Sequence, residues 1–278
     1  MKILLFLISF LPFTIWAQAI SFDPQRGLVE VKVILDGQVK GTFGIDTGAD
    51  RLYIDKTFAQ ENQLTFRQPI PQRKIVGLEG TSKAYAVSLR SLRIGGDISL
   101  YNLRATAIDI RQLVNDSTGN IPDGLIGYEI LRRFYVKVNY PQRKMELLSF
   151  EPDFLRGKRY FTIPFKQYQH LILVNVTFPN DMTASMILDY CASQTTINSS
   201  LAKKLGINSE KSENVIVSEM TLGESVTSKN VPVLIRDYPQ FKKSVARAQF
   251  DGVLGYSFLS HYVITVDYKR HRIYVHKP

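Results

Sequence analysis

Val29, Val31, Val33 and Leu35 alternate with polar residues, the period of a strand with one buried face, and Phe43 and Ile45 continue that pattern on the next segment. Leu52, Tyr53 and Ile54 resume an apolar run after a polar turn. Short runs of this kind, separated by Gly, Asp and Asn, recur to the end of the chain and predict an all-β protein. Helical spacing is confined to three short stretches, near residues 55–63, 129–133 and 199–205. The remainder reads as strands and turns.

The strand pattern occurs twice. An offset of 143 residues carries Ile20 and Phe22 onto Ile163 and Phe165, Val31 onto Val174, Asp46 onto Asp189 and Ile54 onto Ile197. Further along, Pro122-Asp123-Gly124-Leu125-Ile126-Gly127-Tyr128 matches Phe250-Asp251-Gly252-Val253-Leu254-Gly255-Tyr256 at an offset of 128. Leu131, Val138 and Tyr140 then fall on Leu259, Val266 and Tyr268. The chain therefore reads as two copies of one lobe, residues 20–150 and 160–278 joined by a linker over 151–159, with the second copy shorter by 15 residues between its two landmarks.

Each copy drives a strand into an aspartate. In the first the segment is Gly44-Ile45-Asp46-Thr47-Gly48-Ala49-Asp50, and Leu125-Ile126-Gly127 follows later; in the second it is Leu188-Asp189-Tyr190-Cys191-Ala192. Taken alone, Asp-Thr-Gly is also a common side-chain-capped turn between strands. With the repeat, each copy resembles the unit of retropepsin-like and pepsin-like aspartic proteases. The resemblance implies two β-barrel lobes about a pseudo-twofold axis, with Asp46 and Asp189 as catalytic carboxylates that share a proton and activate a water. It implies that Thr47 braces the two loops and that Gly48 lets its amide approach the carboxylate. The expected partner is a peptide or protein substrate, and no metal or cofactor is expected.

The second copy departs from the motif at Tyr190 and Cys191, which stand where threonine and glycine are expected. Three forms stay open on the sequence: an intramolecular Asp46–Asp189 dyad in a monomer, a homodimer acting through Asp46, and an inactive bilobal peptide-binding module. The missing 15 residues fall where the first copy has Ile75 to Thr81, whose Gly77, Leu78, Glu79 and Gly80 resemble the tip of a substrate-covering flap. Only the first lobe is expected to keep that flap. Asp123 and Asp251 each precede a glycine and are expected to be structural.

Composition narrows the setting. Lys2, an apolar run from Ile3 to Trp16, and Ala17-Gln18-Ala19 read as a secretory signal peptide over residues 1–19. The run is short for a membrane span, although an uncleaved anchor is the alternative. Cys191 is the single cysteine, so no intrachain disulfide forms, which favours a bacterial periplasm or cell surface over an animal secretory route. There, the acceptor patterns at Asn115, Asn175 and Asn198 carry little meaning. The formal charge of +10 is scattered, densest at Lys242-Lys243 and Lys269-Arg270-His271-Arg272, and reads as surface bias rather than a nucleic-acid site. His170, His261, His271 and His276 lack metal-ligand spacing, and the chain has no Gly-x-Ser-x-Gly elbow or phosphate loop.

Overall fold

The computed structural model describes residues 19–23, 27–78, 80–96, 98–113, 121–152, 160–207, 213–245 and 248–276. The leader but for Ala19, most of the linker, Glu79 and the Asn115 acceptor site lie outside the described residues. The first half runs β1 (Ile20–Ser21), β2 (Glu30–Leu35), β3 (Val39–Ile45), β4 (Tyr53–Asp55), α1 (Lys56–Glu61), β5 (Phe66–Val76), β6 (Thr81–Ile94), β7 (Ile98–Ile108), a 3₁₀ turn at Ile110–Gln112, β8 (Gly124–Ile126), α2 (Tyr128–Leu131), β9 (Tyr135–Asn139) and β10 (Lys144–Leu148). The second half runs β11 (Phe161–Pro164), β12 (Lys166–Tyr168), β13 (Leu171–Phe178), a 3₁₀ turn at Pro179–Asp181, β14 (Met182–Leu188), β15 (Thr195–Ile197), α3 (Ser199–Lys204), β16 (Asn214–Leu222), β17 (Val226–Ile235), α4 (Pro239–Ser244), β18 (Gly252–Leu254), α5 (Tyr256–Leu259), β19 (Val263–Asp267) and β20 (Arg272–His276). Helices α4 and α5 correct the expectation of strands and turns there. The first is opened by Pro239, and the second repeats α2 at the 128-residue offset.

Both halves close into barrels. In the first, the order β2-β3-β8-β4-β7-β6 returns to β2 through Val33 opposite Ile94, and β5 hangs outside on β6. In the second, β13-β14-β18-β15-β17-β16 returns to β13 through Val176 opposite Leu222, and β12 hangs on β13. A closed sheet leaves no ladder edge within the ring. The alternation seen in sequence is the in-and-out alternation of these walls: Val31, Val33 and Leu35 are buried while Lys32 is exposed. Among its described residues the second lobe has no counterpart of β5, so the 15-residue difference falls at one strand of the β5–β6 hairpin.

A third sheet joins the lobes. Its order, β1-β10-β9-β19-β20-β11, takes three strands from each half. At its centre Lys137 pairs with Thr265, two residues that are equivalents at the 128-residue offset, so the pseudo-twofold passes through that pair. Above it two aromatic groups repeat across the interface. Tyr140 meets Phe22 and the other lobe's Tyr256 edge-on at 6.0 and 5.8 Å, and Tyr268 meets Phe165 and the first lobe's Tyr128 at 6.4 and 5.5 Å. Such contacts add about 0.5–1.5 kcal/mol each beyond area burial. No helix among the described residues is long and apolar enough to cross a bilayer.

Asp123 and Asp251 take matching structural roles. Their carboxylates accept the backbone N–H groups of Thr42 and Ser185, at 2.8 and 3.1 Å, just before β8 and β18. The glycines that follow are required by close approach rather than by backbone angle: a β-carbon on Gly252 would lie 1.9 Å from the Thr196 carbonyl oxygen. The repeated Asp-Gly thus seats β8 and β18 between the strands that flank each aspartate turn.

Candidate active site

Asp46 follows β3 and Asp189 follows β14, and the two turns are built alike. The Gly48 N–H donates to Asp46 Oδ1 at 2.7 Å, and the Cys191 N–H donates to Asp189 Oδ1 at 2.8 Å. Each aspartate's own N–H donates to the strand crossing behind it, Asp46 to Ile126 O at 3.0 Å and Asp189 to Leu254 O at 3.1 Å. The carboxylates converge on one place. A β-carbon at Gly48 would sit 3.1 Å from Asp189 Oδ2 and 3.2 Å from Asp46 Oδ1, so those oxygens are no further apart than the two distances combined. Gly48 has no positive φ. Its glycine is required by room beside two carboxylates.

Thr47 holds the turns together. Its fully buried hydroxyl donates to Leu188 O at 2.8 Å and accepts from the Tyr190 N–H at 3.1 Å, reaching across the lobe interface in both cases. Tyr190 returns no equivalent bond. Its ring is buried against Tyr140, with centroids 6.2 Å apart, and its hydroxyl donates to Ile264 O at 3.4 Å. The brace is therefore one-sided, and a large aromatic fills the space that a second threonine would leave. Cys191 is accommodated through its neighbour: a β-carbon at Gly44 would fall 2.8 Å from Cys191 Sγ, so β3 makes room for the thiol with a glycine where the second lobe has Ile187. The Asp189 turn keeps the geometry of the Asp46 turn because Gly44 leaves room for the Cys191 side chain.

The aspartyl protease profile matches residues 29–130 and 174–258, well over half of the chain and one segment in each lobe. The chain belongs to the aspartyl protease family. No curated protein sequence matches it significantly. The barrels, the paired aspartate turns and the inter-lobe sheet together give a bilobal, retropepsin-like member of that family.

Both carboxylates resist ionisation. Burial raises Asp46 well above the ordinary carboxylate range, the nearby Asp189 charge adds to it, and the N–H groups of Gly48 and Ala49 oppose both. Burial likewise pushes Asp189 up to about 6 against the Cys191 N–H. Two acids this close in a poorly solvated site hold one proton between them over a range of pH, and they titrate as a pair. Outside the pair, hydrogen bonds from Arg51 and Tyr53 outweigh burial and hold Asp50 below its ordinary value. His170 reaches over from the second lobe to the Gly48 backbone and the Asp50 charge, and burial lowers its pKa.

A cleft of about 840 Å³ opens over the aspartates. On the first-lobe side its apolar lining is Tyr53, Ile75, Ile108, Leu113, Ile121 and Leu125, beside the charged Asp50 and Lys74. On the second-lobe side it is formed by Leu171, Ile187, Tyr238, Phe241, Val245 and Val253. The β5–β6 hairpin closes with the Gly77 N–H on Gly80 O at 2.9 Å, its glycines pressed against Gln112 and Leu113, while Leu78 packs onto the Tyr238–Phe241 cluster of the other lobe. The hairpin thus crosses the cleft from one lobe to the other. The contributions of His170, Arg236, Tyr238 and Phe241 were not read from the sequence. The 128-residue offset carries Ile108 and Ile110 onto Arg236 and Tyr238, and could have found those two.

Two outcomes follow from this geometry. A raised acid pKa contributes stability that is complete below the unfolded value and is lost as pH rises through the folded value, so the fold loses stability as pH climbs from about 4, the ordinary carboxylate value, through about 6, where Asp189 ionises, and beyond it as Asp46 follows. Asp46→Asn should stabilise the protein by on the order of 1–3 kcal/mol at neutral pH, with the gain vanishing toward pH 4, as measured by denaturation across pH. Gly44→Ala should cost roughly 1–3 kcal/mol by crowding Cys191, and a double-mutant cycle with Cys191→Gly should recover much of that loss.

Proposed function

We propose that the chain is an aspartic endopeptidase whose two catalytic carboxylates, Asp46 and Asp189, come from one polypeptide. One carboxylate takes a proton from a water as its oxygen adds to the peptide carbonyl carbon; the other, protonated, donates to the carbonyl oxygen. Collapse of the resulting diol returns a proton to the departing amine and breaks the C–N bond. The observation that carries this reading is the convergence of both carboxylates at Gly48, maintained although the second motif has become Asp-Tyr-Cys. Binding in the cleft would desolvate the reacting bond beneath the β5–β6 hairpin, which serves as the flap with Gly77, Leu78 and Gly80 at its tip. Apolar walls on both sides favour substrates with apolar residues about the scissile bond.

This reading favours an intramolecular pair over a homodimer because the Asp46 and Asp189 carboxylates already meet beside Gly48 within one chain. Asp46→Asn and Asp189→Asn should each lower kcat for a denatured protein substrate by at least about 10³ while leaving the chain folded. Full activity in Asp189→Asn would require another partner carboxylate, and cleavage by neither the parent chain nor one repaired by Tyr190→Thr with Cys191→Gly would leave a peptide-binding module. We also propose that the enzyme is exported. The chain recovered from a bacterial host should then begin near Ile20 by N-terminal sequencing, and retention of Met1 would contradict export with cleavage.

A further inference from the structure

We infer that the second-lobe side of the cleft selects an acidic substrate side chain, and that Arg236 is the residue that selects it. Asp55 lies opposite Ile108 in the first barrel, and the ladder that pairs Ile197 with Ile235 puts Asn198 and Arg236 at the same place in the second. The backbone there is held firmly, with the Arg236 N–H donating to Ile197 O at 2.9 Å. Where one wall has the fully buried Ile108, the other has Arg236.

The charge around it is lopsided. Asp50 lines the first-lobe end of the cleft, and its repeat equivalent in the second lobe is Ser193; Arg51 is likewise replaced by Gln194. Among the described residues of the second lobe that line the cleft, the only formal charges besides His170 are Asp189 and Arg236. The Arg236 side chain is 29% exposed, and its guanidinium lies 4.0 Å from the carboxylate of Glu213, which is 71% exposed. On the same wall the Tyr238 hydroxyl donates to Thr196 Oγ1 and the Ser244 hydroxyl to Phe241 O, so these two hydroxyls are committed to the protein.

A carboxylate entering between Tyr238, Phe241 and Val245 leaves water, and only a paired cation offsets that loss. A guanidinium does so with two parallel charge-assisted hydrogen bonds, which an amide isostere of the same shape matches poorly. A basic side chain would meet like charge there. The inference deepens the peptidase reading, since it assumes a peptide in the cleft, but binding can be measured without turnover.

The test uses the Asp46→Asn protein and a labelled peptide series identical except at one position beside an apolar pair, where Glu, Gln, Leu or Lys is placed, with that position scanned along the peptide. At one position Glu should bind about 10–100-fold more tightly than Gln, with Lys weakest, and the gap should narrow in high salt. Arg236→Gln should erase the Glu-over-Gln ratio and Arg236→Glu should reverse it toward Lys. Equal binding of Glu and Gln at every position, no peptide binding at all, or a ratio unchanged in both Arg236 variants would overturn the inference. Absence of cleavage by the parent chain would count against the peptidase reading and leave this ratio still decisive.

Discussion

One hydroxyl couples the two halves of this site. Thr47 Oγ1 donates to the carbonyl before Asp189 and accepts from the amide after it, and both groups are buried where water cannot replace the bond. Loss of either partner would leave an unsatisfied backbone group, at about 1–3 kcal/mol each. The carboxylates are held close by these bonds although their charges repel. The raised pKa values, the need for glycine at position 48 and the orientation of both turns toward one cleft all follow from that enforced proximity.

The symmetric frame and the asymmetric site differ in what they tolerate. Beneath the aspartates, the Lys137–Thr265 pair, the two aromatic groups and the two carboxylate-capped turns repeat closely, because each supports the same strand crossing. At the cleft the copies diverge. One lobe carries the β5–β6 hairpin, Asp50 and Ile108; the other carries α4, Ser193 and Arg236. One intact motif suffices to hold both carboxylates because Tyr190 contributes its backbone N–H to the brace, a group that every residue except proline possesses.

Much of this was legible in the chain. Barrel strands came from period-2 alternation, and the repeat placed Asp189 opposite Asp46 because apolar positions recur at fixed offsets even where the motif itself has changed. Two kinds of information were not accessible. The inter-lobe sheet is built from short strands at the ends of each copy, and their pairing across the molecule has no local signal. The compensation of Cys191 by Gly44 is likewise a contact between distant segments, so the sequence displayed the oversized residue without the space prepared for it. Helix α4 is six residues long, too short for a clear 3.6-residue period, whereas α5 repeats α2 at the 128-residue offset and was legible through it.

The central claim is that a single chain supplies both members of the dyad. Titrating the purified protein with a tight-binding transition-state inhibitor of aspartic proteases, at a protein concentration measured independently, tests it most directly. The account predicts one inhibitor bound per chain, with binding lost in Asp189→Asn; one inhibitor per two chains, unaffected by that substitution, would contradict it.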